Sequence, residues 1–157
     1  MDANGFAQRI QALKARLYRT ALLYLGSEAM ALDAVDEAVY RGLKSLPRLR
    51  QEEYFDTWMT RILINECKQE LRRRKREVPM DALPETAREE FDALPLKEAV
   101  RRLPPELKEV VILRYFSGYT LAQTAQALDI PQGTAATRQR RALALLRLEL
   151  SEEEGAL

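Results

Sequence analysis

Histidine is absent from the 157 residues, and cysteine occurs once, at Cys67. Without histidine, imidazole acid–base catalysis and the usual histidine-bearing zinc sites are excluded. A single cysteine excludes an internal disulfide framework and points to a reducing, cytoplasmic compartment. Long apolar runs are missing as well. The stretch MDANGFAQRIQALKARLYRTALLYLG is interrupted by charged residues, so a soluble protein without a signal core or membrane insertion is expected. No converging nucleophile or metal-ligand set stands out, so the expectation is a non-enzyme with no metal, cofactor or small-molecule substrate. Neither sign of charge is in excess. With 25 Lys and Arg against 24 Asp and Glu, the net charge is +1, and any nucleic-acid face must arise by segregation of charge along the chain.

What is present is ordinary for a globular chain: 46% apolar and 31% charged residues. The apolar residues recur at helical spacing, and no run alternates as a strand does, so the fold class is all-α. One helix is expected from about Phe6 to Leu25, closed by Gly26. Ser27 can cap a second that runs toward Leu46 before Pro47. On that second helix Ala31, Ala34, Val35, Ala38, Val39, Leu43 and Leu46 share a face, whereas Asp33, Asp36, Glu37 and Tyr40 share the other. A third helix should begin near Tyr54 or Phe55, bury Phe55, Met59, Ile62 and Leu63, and end in KQELRRRKRE. Cys67 lies four residues from both Leu63 and Leu71, which marks it as a buried packing thiol.

Composition then changes sharply. Residues 77–95 hold three prolines and six acids against one arginine, Arg88, a linker signature. Beyond it, Pro105 is placed to start a helix and Gly118 to end it. The expected organisation is a helical domain at 1–76, an acidic linker at 77–95, a second helical domain at 96–150 and a tail at 151–157.

The segment YTLAQTAQALDIPQGTAATRQRRALALL reads as helix, turn, helix. Thr120 can cap the first helix, Asp129-Ile130 turns the chain, Pro131 presets the backbone, and Gly133 permits close approach. On the second helix Ala135, Gln139, Ala142, Leu143 and Leu146 form the expected packing face. Thr134 lies in its first turn; Thr137, Arg140 and Arg141 face outward, with Arg138 on the flank. Hydroxyl and guanidinium groups at the start of an exposed helix suit base edges and phosphates in a major groove. They also suit an ordinary solvated hairpin, and that stretch alone leaves both readings open.

The ordered pieces Leu-Pro, Leu-Arg-Tyr, Gly-Tyr-Thr and Pro-Gln-Gly-Thr make this tail resemble region 4 of bacterial sigma factors of the extracytoplasmic-function class. There a helix-turn-helix reads the −35 promoter element. The family usually carries Glu-Ile at Gln123-Thr124, Val-Lys-Ser at Ala135-Ala136-Thr137 and leucine or isoleucine at Gln139. The first domain resembles region 2 of the same family. ALDAVDEAVYRGLKSL is similar to the acidic helix that docks on core RNA polymerase, which implies Asp33, Asp36 and Glu37 as contacts. Phe55, Thr57-Trp58, Arg61-Ile62 and Asn65 resemble the segment that captures a flipped base of the melted −10 element. The resemblance implies Asn65 as a base contact, with Lys68, Arg72 and Arg73 of the basic run Lys68 to Arg76 along the strand. Phe55 and Trp58 are read as core aromatics. By resemblance Thr137, Arg138 and Arg141 keep DNA-facing identities; with Thr134 and the outward-facing Arg140 they make the expected −35 set.

The function implied is a promoter-specificity subunit whose partners are core RNA polymerase, promoter DNA and an anti-sigma protein. The alternatives are a helical polymerase-binding adaptor or a stand-alone helix-turn-helix regulator. The acidic linker is read as a tether, and the resemblance adds a second reading in which it threads the polymerase cleft.

Overall fold

A computed structural model describes residues 1–77 and 94–155. Regular structure among these residues is helical throughout: α1 (Ala3–Leu25), α2 (Glu28–Ser45), α3 (Phe55–Glu77), α4 (Leu94–Arg102), α5 (Pro105–Val111), α6 (Leu121–Leu128) and α7 (Gln132–Gly155). The chain divides into two compact units, Met1–Thr86 and Ala87–Leu157. The expected linker lies largely in residues 78–93, outside the described residues.

The first unit is a bundle of α1, α2 and α3, each packed on the other two. Helix α1 starts three residues earlier than its periodicity suggests, because Asp2 caps it and accepts a hydrogen bond from the Gly5 amide at 2.8 Å. Gly26 ends the helix in a left-handed conformation, φ 75°. Ser27 then caps α2, its hydroxyl accepting from the Met30 amide. Phe6, Leu17 and Tyr24 from α1 meet Ala31, Val35 and Ala38 from α2 and Phe55, Met59, Leu63 and Cys67 from α3. Phe6 and Phe55 pack edge to face, 5.7 Å between ring centres.

Small residues on α2 allow a close approach to α3. At Gly42 a Cβ would stand only 2.7 Å from Met59 Sδ. The apolar stripe of α2 is narrower than periodicity implied: Leu43 is exposed, and Val39 and Leu46 are half-buried. The partners α1 and α3 cover Ala31, Ala34, Val35, Ala38 and Gly42, which leaves little cover for the last turn. On α3, Ile62 is half-buried and Ile64 takes the inner position instead.

In the second unit α4, α5 and α6 all pack on α7. Pro105 opens α5, and a π-helical turn over Ile112–Phe116 carries it on to Gly118 and the buried Tyr119. Val100, Leu107, Val110, Leu113 and Ala125 close around Ala135, Ala142 and Leu146 of α7. Leu143, expected inside, is exposed. It lies about 100° around the helix from Ala142, beyond the stripe that α5 and α6 cover. Helix α7 also continues to Gly155, past the expected end of the domain at 150, because Leu-Glu-Leu-Ser-Glu-Glu-Glu holds no helix breaker.

Candidate partner and nucleic-acid interfaces

Asp33, Asp36 and Glu37 are exposed on the face of α2 opposite its alanine stripe. Their i, i+3, i+4 spacing gathers three carboxylates on about one helical turn. Beside them α2 and α3 enclose two adjoining clefts. One, about 570 Å³, is lined by Asp33, Asp36, Glu37, Arg41, Glu66 and Arg73, among others. The other, about 460 Å³, is lined by Glu37, Tyr40, Arg41, Lys44, Asn65 and Glu66, among others. Thus Glu37, from the expected docking row, and Asn65, from the expected strand-reading set, share a cleft although 28 positions separate them in the sequence.

Asn65 is exposed at that cleft. Further along α3, Arg72 and Arg73 are exposed, but Lys68 is half-buried rather than aligned outward with them. Arg73 is ion-paired with Glu70, whose other oxygen faces Arg74 Nε at 3.4 Å. Phe55 is fully buried; Trp58 is half-buried with its ring 5.8 Å from that of Phe55. Arg9 stacks its guanidinium 4.9 Å above Phe55 and pairs with Asp56.

In the second unit Thr120 caps α6 and Asp129 closes it in the left-handed region, φ 57°, a conformation that a short Asp side chain tolerates. The Ile130 amide returns to Ala125 O, and the Ala135 amide bonds Pro131 O, so Pro131 caps α7 through its carbonyl. On α7 Arg140 and Arg141 are exposed, while Thr134, Thr137 and Arg138 are half-buried. Thr137 donates to Gly133 O at 3.1 Å and accepts from Arg140 at 3.3 Å, so its hydroxyl steadies an arginine as well as its own helix. Gln139 faces inward, its Oε1 buried without a hydrogen-bond partner.

The residues that sequence reasoning missed are Arg41 and Glu66. Arg41 Nε lies 3.2 Å from Glu37 and 2.7 Å from Glu66. The i, i+4 pair with Glu37 was legible in the sequence; the bridge to Glu66 depends on how α2 docks on α3.

Fold and surface together define an all-helical protein in which a helix-turn-helix unit accompanies a three-helix bundle that carries an exposed acid row on α2. The comparisons with known proteins sharpen this. Residues 9–77 match the family model Sigma-70 region 2, and residues 93–146 match Sigma-70, region 4. The chain is 31% identical to the RNA polymerase sigma factor SigV of Bacillus subtilis, over 90% of this chain and 88% of that protein. It is also 31% identical to the ECF RNA polymerase sigma factor SigM of Mycobacterium tuberculosis, over 92% of this chain and 76% of that one. Among solved structures, the sigma factor RpoE of Bartonella quintana, in complex with the anti-sigma factor NepR, superposes with a TM-score of 0.81. It shares 22% identity and covers 95% of this chain and 98% of its own. CnrH, in complex with the cytosolic domain of CnrY, gives 0.74 at 18% identity, covering 96% and 90%. The chain belongs to the sigma-70 family of RNA polymerase sigma factors, in its extracytoplasmic-function class.

Proposed function

We propose that this sigma factor binds core RNA polymerase and directs initiation at a specific set of promoters through three surfaces. Asp33, Asp36 and Glu37 dock on a basic surface of the polymerase. Asn65, Lys68, Arg72 and Arg73 hold the melted −10 strand. Thr134, Thr137, Arg138, Arg140 and Arg141 read the −35 duplex. The observation that carries this reading is the paired occurrence of region 2 and region 4 matches, one in each helical unit.

Each surface has a physical rationale. A carboxylate row steers a basic partner into register. Asn65 offers a donor and an acceptor together, and base capture offsets the few kcal/mol that extrusion costs. Exposed Arg140 and Arg141 present planar forks to guanine edges or phosphates. Opening of the duplex draws on the binding of the captured strand, so bond-making residues are not required and the protein acts as a subunit rather than as an enzyme. Its working compartment is the cytoplasm; no helix among the described residues is long and apolar enough to cross a membrane. An anti-sigma protein is a natural further partner; the Bartonella quintana sigma factor RpoE is solved in complex with one.

The test adds the purified chain to sigma-free core polymerase with a library of promoter DNA and maps transcript starts. Specific starts support the reading, and polymerase binding without starts supports the adaptor instead. Replacing Arg141 should damage selection of the upstream element, and replacing Asn65 should damage opening at the downstream one. If both variants select promoters as before, the residue assignments are wrong.

A further inference from the structure

The cleft between α2 and α3 raises an electrostatic problem for strand capture. Glu66 directly follows Asn65, lines the same cleft, and is largely covered, its side chain 12% exposed. An unneutralised carboxylate there would repel the phosphates of a strand drawn toward Asn65, with less screening than a fully exposed charge. Arg41 reaches across from α2 and sets its Nε 2.7 Å from Glu66 Oε1 while remaining 3.2 Å from Glu37 Oε1. One guanidinium therefore serves an acid of the docking row and an acid of the strand cleft.

Resting on the function proposed above, we infer that Arg41 is a positioning residue for both surfaces: it cancels the charge of Glu66 beside Asn65, and it holds the Glu37 carboxylate in place for the polymerase. The two duties are chemically separable. Cancelling Glu66 requires only that one positive charge remain near it, or that the acid itself be removed. Holding Glu37 requires a side chain that reaches Glu37. A lysine keeps the positive charge but lacks the Nε through which Arg41 meets both acids.

The experiment uses the full chain as wild type, Arg41→Ala, Arg41→Lys, Glu66→Gln and the double variant Arg41→Ala with Glu66→Gln. Two quantities are read: affinity for a fluorescent single-stranded oligonucleotide carrying a −10-type sequence, and affinity for sigma-free core polymerase. Arg41→Ala is expected to weaken both by about threefold to fivefold, the scale of a partly exposed ion pair. Adding Glu66→Gln should restore strand affinity to about the wild-type level and leave core binding weak. Arg41→Lys, which keeps the positive charge near both acids, should retain both affinities better than Arg41→Ala.

A misfolded Arg41→Ala protein would not regain strand binding when Glu66 is replaced, so the rescue separates function from folding. If the double variant binds the strand as poorly as Arg41→Ala, or if Arg41→Ala changes neither affinity, the role of Arg41 is overturned. Should that happen while Asn65→Ala abolishes strand binding and Glu37→Gln weakens core binding, the promoter reading stands without it. If Asn65→Ala and Glu37→Gln are also silent, both fall.

Discussion

Thr120 and Gln123 close the amino end of α6 on each other. The Thr120 hydroxyl accepts from the Gln123 amide at 3.1 Å, and the Gln123 side-chain oxygen accepts from the Thr120 amide at 2.9 Å. This is a capping box, which glutamine fills as glutamate does. The glutamine at a position where the family usually has glutamate therefore keeps the local role. Thr120→Ala should destabilise α6 by about 1 kcal/mol, whereas Gln123→Glu should leave it within a few tenths. Amide exchange within residues 121–128 reports this locally, which a single melting temperature of a two-unit chain does not. Unchanged exchange in Thr120→Ala would remove the cap from the account.

Thr124 is fully buried, and its hydroxyl oxygen has no hydrogen-bond partner; Gln139 Oε1 shares that condition. A buried polar atom left without a partner costs about 1 to 3 kcal/mol, so removing it at constant shape should help. Thr124→Val and Gln139→Leu are each expected to stabilise the second unit, by roughly 1 kcal/mol. Urea unfolding followed by helical circular dichroism checks the direction. A loss of stability in both would mean that the side chains are satisfied by water.

Much of the fold was legible because the chemistry that sets it is local. Gly26, Ser27, Pro105 and Thr120 punctuate helices at the positions where the structure ends or starts them. Asp2 was missed because a cap so close to the first residue precedes any apolar period. The inner faces were read too wide. Leu43 and Leu143 satisfy helical spacing yet remain exposed, because burial depends on how far along and how far around a helix its partners cover it. At the candidate interfaces, the exposure of the acid row of α2 and of Arg140 and Arg141 on α7 followed from sequence. The joining of Glu37, Arg41, Asn65 and Glu66 at one cleft did not, since it requires the docking of α2 on α3.

Gly133 stands in the first turn of α7 with nothing within 4 Å of where a Cβ would be. Alanine there meets no obstacle and restricts the unfolded chain, so Gly133→Ala should stabilise the helix by about 0.5 to 1 kcal/mol. If the bare backbone serves close approach to duplex DNA, the same variant should bind a −35 duplex less tightly while melting higher. Paired measurements of stability and duplex affinity separate the two effects. Higher stability with unchanged affinity would show that no close approach occurs at this residue.

Along α3 the surface proposed to hold the single strand carries its own internal competition. Arg73 and Arg74 both face Glu70, an acid with a side chain only 13% exposed, whereas Arg72 is exposed on the neighbouring side. A phosphate that engages Arg73 must share it with that carboxylate. Replacing Glu70 with glutamine should therefore raise affinity for single-stranded DNA, by roughly twofold to fivefold given the usual strength of exposed ion pairs. Arg72→Gln should act differently. It removes one phosphate contact, so the slope of log affinity against log salt should flatten by about 0.7. Fluorescence anisotropy with one labelled oligonucleotide across a series of salt concentrations measures both. A Glu70→Gln protein that binds more weakly would mean that the acid orients Arg73 for the strand instead of competing with it, and an unchanged slope in Arg72→Gln would take Arg72 off the strand's path.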